Sequence, residues 1–344
     1  MTTERNGAIH FGTGREPPDS PAPGAGRRNR RLGVAVLGVA ALATVIALLA
    51  AVGVFNGHAA GLTNCAAKPS ACSYPDATNT GVPAGTTLKS VPSQVTSGPG
   101  WSYNATTKAV VVSVNGTVLS GLYIPSNLTI SASNVTVKNV QVVTGGTFGI
   151  SLTHTTGVTI ENSTISGQNA TTGRVDSAIK DVYGDSTGMV IKDNNISHFR
   201  TAMQLSNGLV DGNYIHDPGY IAGDHTNGVV STGGTKTLMI QDNTIFNSIG
   251  QTDAVSVNAA TSGVPVANAT IQNNFIAGGG YAIYGGTGSG NTTSNIVIKG
   301  NRFGQVYFPK SGQFGPVAYF ASTGKGNVWS GNVWDTTGQV IAAP

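Results

Sequence analysis

Charge is what this chain has least of. Asp, Glu, Lys and Arg make up 10% of its 344 residues, against about 25% in an average globular chain. So little charge excludes a salt-bridged helical domain and a charged disordered tail, and the turn-rich, β-branched remainder suits a long β-structure. Outside the N-terminal region no run shows amphipathic helical spacing. Cysteine is nearly missing too. Only Cys65 and Cys72 occur, with no His beside them. A structural disulfide in an extracytoplasmic compartment is therefore expected there, in preference to a metal site. Gly, by contrast, occurs 48 times.

The formal net charge of +4 is unevenly spread. Beyond residue 55, ten Lys and three Arg stand against twelve Asp and Glu, a balance of +1. Nothing there resembles a nucleic-acid surface, and no nucleic-acid partner is expected. The excess sits in residues 1–31, a polar tail that ends in Arg27, Arg28, Arg30 and Arg31. An apolar run of about 24 residues follows at 32–55. That length spans a bilayer, and the basic cluster before it keeps the N-terminus cytoplasmic. The expectation is a single-pass signal anchor in the cell membrane with the rest of the chain outside. Cleavage near Gly57, His58, Ala59 and Ala60 would instead release the protein. Residues 56–108, rich in Pro, read as an extracellular stalk and N-terminal cap, and 109–344 as the folded body with a C-terminal cap.

What that body has in abundance is repetition. The fragment VTIENSTI from Val158 returns as MVIKDNNI from Met189, LMIQDNTI from Leu238, ATIQNNFI from Ala269 and IVIKGNRF from Ile296, with shortened copies from Leu209 and Val328. One Asn holds its place as Asn194, Asn213, Asn243, Asn274, Asn301 and Asn332, at intervals of about 19, 30, 31, 27 and 31 residues. Each copy alternates apolar and polar residues and stops at a polar corner, so the copies stack as coils of a solenoid. The repeated Asn is expected to hydrogen-bond its neighbours above and below in a structural ladder.

These repeats resemble those of right-handed parallel β-helix proteins, the pectate-lyase-like superfold. The segments GGGYAIYGG from Gly278, GPVAYF from Gly315 and GNVWSGNVWD from Gly326, with SYPDATNTGVPAGTTL from Ser73, resemble a group of secreted actinobacterial β-helix proteins. The resemblance implies an all-β, single-stranded, right-handed parallel β-helix, preceded here by one transmembrane helix. It supplies a fold and a location more than a reaction.

Chemistry is sought on the short strands that follow each Asn corner. FGISL, SAIKDV, TAMQL, NGVVS, DAVSV and YAIYG align on a small residue, and alternation turns that residue and the one two further on outward. The outward column then holds Ser151, Lys180, Gln204, Val230, Ser256 and Tyr284. Another column holds Asp176, Arg200, Thr226 and Thr252, and a neighbouring loop adds Asp224 and His225. Such a face suits an extended polysaccharide or cell-surface glycan, bound by a monomer. Polygalacturonase-type hydrolases carry paired carboxylates here, but Asn227 and Thr252 replace two of them and leave Asp253 alone, against the two-carboxylate requirement. A lyase needs a base and a cation over a uronate. Lys180, Arg200, His225 and Asp253 are the candidate catalytic residues, and Asp181 and Asp224 the candidate calcium ligands. Asp176, Gln204, Asn227, Tyr281 and Tyr284 are the candidate substrate contacts. Simpler roles compete: Asp176 and Arg200 as a surface ion pair, His225 as a loop cap, and the tyrosines as packing. Non-catalytic glycan binding is the first expectation, with a calcium-dependent uronan lyase as the alternative.

Overall fold

The apolar residues of each copy alternate so strictly that one side of every strand is oily and the other wet, and stacking the copies buries the oily side. The computed structural model describes residues 65–258, 264–286 and 293–344. The expected tail at 1–31 and anchor at 32–55 lie outside them, and no helix among the described residues is long and apolar enough to cross a membrane. The body is an all-β parallel solenoid. Strands pair with the equivalent strands of the next coil, giving sheets of 10, 11 and 9 strands.

The recurring fragment proves to be two strands around a corner. In its first copy Thr159–Glu161 belongs to one sheet and Thr164–Ser166 to the next. At the corner the chain takes left-handed backbone angles at Asn162, Asp193, Gly212, Asp242, Asn273, Gly300 and Gly331, with φ between 45° and 64°. Only Gly, Asn and Asp visit that region cheaply, which is why the repeat has those types there. The next residue is the ladder Asn. Asn194, Asn213, Asn243, Asn274, Asn301 and Asn332 are all fully buried. Each Asn carboxamide accepts from the backbone N–H of the ladder residue one coil before, at 2.8–3.0 Å. Its Nδ2 donates to a carbonyl of the preceding coil, as Asn243 does to Val210 at 3.0 Å. Ser163 takes the place in the first copy, with its N–H donating to Asn194 Oδ1 at 3.0 Å.

Three stacks of side chains fill the interior. Ile160, Ile191, Val210, Ile240, Ile271 and Ile298 come from one sheet, Ile165, Ile196, Ile215, Ile245, Ile276 and Phe303 from the next. Ile150, Ile179, Met203, Val229, Val255 and Ile283 complete the core from the third. All are essentially shielded from water, worth roughly 1.5–3 kcal/mol per side chain. At one end an antiparallel extension, Trp101–Asn104 on Ala109–Val112, continues the sheet that carries the third stack. At the other, the tail folds back so that Trp329 Nε1 donates to the Ile341 carbonyl at 2.8 Å.

The segment expected to be a stalk is bound to the solenoid over much of its length. Cys65 and Cys72 form a disulfide, and Arg302 Nη1 donates to Cys65 Sγ at 3.2 Å. Tyr74 packs on Phe275 with ring centroids 5.3 Å apart, Gly81 N–H reaches the Asp193 carbonyl at 2.9 Å, and Val82 N–H reaches Thr164 Oγ1 at 3.2 Å. Lys89–Ser90 then pairs with Leu122–Ile124. The segment is thus a strap, running from a late coil back to an early one over the outside of the sheet that holds Thr164, Phe275 and Arg302. Its Pro-rich, unperiodic sequence suggested a linker because a strap is held by side chains of the body and needs no period of its own.

Candidate functional site

The strap covers one sheet, and the outer face of the sheet that follows it in each coil stays open. Its strands are Phe148–Leu152, Val175–Asp181, Phe199–Leu205, Asn227–Ser231, Asp253–Ser256, Tyr281–Tyr284 and Gly315–Ala318. The register puts Ser151, Lys180, Gln204, Val230, Ser256, Tyr284 and Ala318 in one continuous column. A second column runs Ser177, Thr201, Asn227, Asp253, Tyr281 and Gly315. Asn227 and Asp253 are therefore direct neighbours.

The small residue between these columns faces inward, not outward as simple alternation requires. A Cβ on Gly228 would fall 2.1 Å from the Ala254 carbonyl oxygen and 2.8 Å from Cγ2 of the buried Ile245. Gly149 is similarly close to Ala178 O and Ile165. The strand bends at this position, two successive residues turn toward the core, and only Gly or Ala fits. That bend turns both flanking columns to the outer side of the sheet, where Ser177, Thr201 and Asp253 are nonetheless buried.

Charged groups on the face are largely paired with one another. Arg174, in the loop before the Val175–Asp181 strand, makes a two-pronged contact to Asp224, Nε to Oδ2 at 2.5 Å and Nη2 to Oδ1 at 2.6 Å. Its Nη1 also donates to Asp176 Oδ1 at 2.5 Å, and Arg200 Nε lies 3.4 Å from the same oxygen. Burial works against the Asp224 charge, but the hydrogen bonds from Arg174 and from Ile221 N–H outweigh it and hold the carboxyl below its usual range. The Arg174 and Asp224 side chains are each only 11% exposed, so this pair is a fixture of the loop wall. Forked, low-exposure pairs of this kind fix geometry.

Lys180 donates to Gln204 Oε1. Burial pushes its pKa below the ordinary lysine value and the Arg200 charge adds to the shift. Asp181 is buried at the other end of the strand, pushed up by burial and held by Ser186. Asp253 is 4% exposed with Oδ1 lacking any partner, and burial raises its pKa well above the carboxylate norm. Burial therefore favours its neutral form over the carboxylate. Next to it burial, then the Asp253 charge, push the Tyr284 phenol up to about 12. His225 is exposed, and its carbonyl accepts from Asn227 Nδ2 at 3.0 Å.

Aromatic rings gather at the far end of the columns. Tyr281 and Tyr284 lie 5.7 Å apart, Phe314 is 5.8 Å from Tyr281, and Tyr319 stacks on Tyr284 at 5.5 Å. Phe314 and Tyr319 are 58% and 54% exposed. Of the residues expected from sequence, Asp176, Lys180, Arg200 and Gln204 come together, as do Asn227, Asp253, Tyr281 and Tyr284. The two expected calcium ligands do not converge. Asp224 is held by Arg174 before the strand and Asp181 by Ser186 after it, and among the described residues no group of three or more His, Cys, Asp or Glu could hold a metal ion. Arg174, Phe314 and Tyr319 were not foreseen, because they sit in or beside loops where no periodicity marks them. A signal did exist for Arg174, one of three arginines beyond residue 55.

Fold and face together define a parallel β-solenoid with one strapped side and one open, polar and aromatic side. No protein-family model matches this chain, and no curated protein matches it.

Proposed function

We propose that the protein binds an extended polysaccharide along the open outer face of its middle coils and does not cleave it. The observation that carries this reading is the continuous column from Lys180 through Gln204 and Ser256 to Tyr284. Arg200 flanks one end, and exposed Phe314 and Tyr319 rings flank the other. Coils repeat about every 4.8 Å, so a linear glycan lying along the columns meets cations first and ring faces later. Cations suit carboxylate or sulfate groups, and rings suit the C–H faces of sugars. Binding without cleavage is supported by the carboxylates themselves: Asp176 and Asp224 are engaged by Arg174, and Asp253 is buried and alone. Two free carboxylates flanking a glycosidic bond are what a hydrolase needs.

The same reading places the solenoid outside the cell on a signal anchor. The arginine cluster, the apolar run at 32–55 and the disulfide support it, since disulfides persist in oxidising compartments. One observation favours lyase chemistry as a second reading, namely the depressed Lys180 pKa beside Arg200, which suits a proton-abstracting base. Incubation with oligogalacturonate and alginate separates the two. Binding with no rise in the ultraviolet absorbance of unsaturated uronate supports the non-catalytic reading; a rise that Lys180→Ala abolishes replaces it with the lyase. Binding of neither polymer, nor of any other glycan offered, removes both.

A further inference from the structure

The loops that enter the open sheet do more than connect it. Between the loops at 217–226, 248–252 and 304–314 lies an open cavity of about 630 Å³, lined by Tyr220, Ile249, Gly250, Gln251, Phe308 and Gln313. None of these carries a charge. In a chain whose neighbouring wall is an ion-pair network, that is a different chemistry within the same loop rim.

The cavity is built from constrained parts. Gly250 lets the Gln313 and Phe308 side chains close in: a Cβ there would fall 2.1 Å from Gln313 Oε1 and 3.2 Å from Phe308 Cζ. Gln313 N–H donates to the Gly279 carbonyl at 2.9 Å and Phe314 N–H to the Gly280 carbonyl at 2.7 Å, which pins that loop to the coil below. Ile249 N–H donates to Asn247 Oδ1 at 3.0 Å, and Tyr220 N–H to the Ala170 carbonyl at 2.8 Å. These bonds hold the loop backbone, so the loops have little freedom to lose on binding. Gln313 is also followed directly by Phe314, whose ring meets Tyr281 on the open face. One loop thus contributes both to the cavity, through Gln313, and to the aromatic end of the column, through Phe314.

We propose that this cavity is a subsite for an uncharged pyranose, stacked against Tyr220 or Phe308 and hydrogen-bonded by the Gln251 and Gln313 amides. Aromatic walls with a few amide donors and acceptors match a neutral sugar, which offers apolar C–H faces and a rim of hydroxyls. Among the lining residues a carboxylate or phosphate finds no cation. The inference rests on the glycan-binding reading of the open face and sharpens it. The preferred ligand carries neutral sugars beside acidic ones, as branches or as alternating units, with the acidic ones over Lys180 and Arg200.

Saturation-transfer NMR on the full protein tests it, with cellohexaose, mannohexaose and maltohexaose as neutral probes and hexagalacturonate as the acidic one. Binding of the acidic probe is expected to fall with Lys180→Ala. At least one neutral hexaose is expected to bind, and Tyr220→Ala and Phe308→Ala each to weaken it about tenfold, while Lys299→Ala, on the sheet outside the face, leaves it unchanged. Gln313→Leu, which keeps the side-chain bulk, serves where an alanine variant does not fold, and it should weaken the same probe. No transfer to any neutral hexaose, or transfer that survives these variants, overturns the subsite. Neutral binding that depends on Tyr220 while hexagalacturonate fails to bind would leave the subsite standing and sink the acidic end of the face.

Discussion

At the scale of single residues, two aspartates are tuned in opposite directions. In Asp76 burial raises the pKa, but hydrogen bonds from Ser70 and Thr78 outweigh it and bring it down to about 2. A carboxyl depressed on folding stabilises the protein above its unfolded value of 3.8, and that contribution is lost as pH falls toward 2. Asp253 is raised by burial alone. Its contribution is full below the unfolded value and is lost as pH rises toward the folded one. Asp253→Asn should therefore raise the melting temperature at neutral pH and change it little near pH 3.8. Thermal melts across that range check this, and an unchanged or lowered neutral melt would mean that Asp253 ionises with a partner. Asp76→Asn should cost about 2 kcal/mol at neutral pH by weakening the charge-assisted, part-buried bonds from the Ser70 and Thr78 N–H groups. The loss should shrink in acid, readable by urea unfolding at two pH values.

At the scale of elements, the corner, the bend and the strap decide the architecture. The ladder side chain at each corner ties its coil to the one before, so Asn243→Ala removes the partner of both the Asn213 N–H and the Val210 carbonyl in the preceding coil. A cost of about 3 kcal/mol is expected from those buried groups, seen as a lowered unfolding midpoint. At the bend, Gly228→Ala should cost about 1–3 kcal/mol, since its Cβ would meet a neighbouring carbonyl at 2.1 Å. A neutral result would show that the bend relaxes. Tyr74→Ala should loosen the strap and speed cleavage by protease between residues 65 and 90, while the coils beneath keep slow amide exchange.

These elements also show what could be read from sequence. The Asn ladder and the inward isoleucines were legible because each repeats with the coil. The direction of the small residue was not, because alternation assumes a straight strand and the chain bends where Ala178, Ala202 and Gly228 sit. The strap was missed because it repeats nothing. Within the candidate site, the column from Lys180 to Tyr284 followed from alignment of the short strands. The ion-pair hub at Arg174 depended on a loop fold that spacing does not encode.

At the scale of the whole molecule, the solenoid has one side closed by its own N-terminal strap and another lined by loops, charges and rings. The division of labour follows from this layout. Repeats supply a rigid, regular support, and the irregular loops, free of the packing demands of the core, carry what differs from coil to coil. Glycan binding is what is proposed for the open face. A polysaccharide array probed with the full protein tests it most directly, comparing wild type with Arg200→Ala and Tyr319→Ala on the face and with Lys299→Ala on the sheet outside it. The expected result is binding to acidic polysaccharides that falls about tenfold with either face substitution and holds with the control. Absence of any bound glycan, or binding that ignores Arg200 and Tyr319 alike, would contradict it.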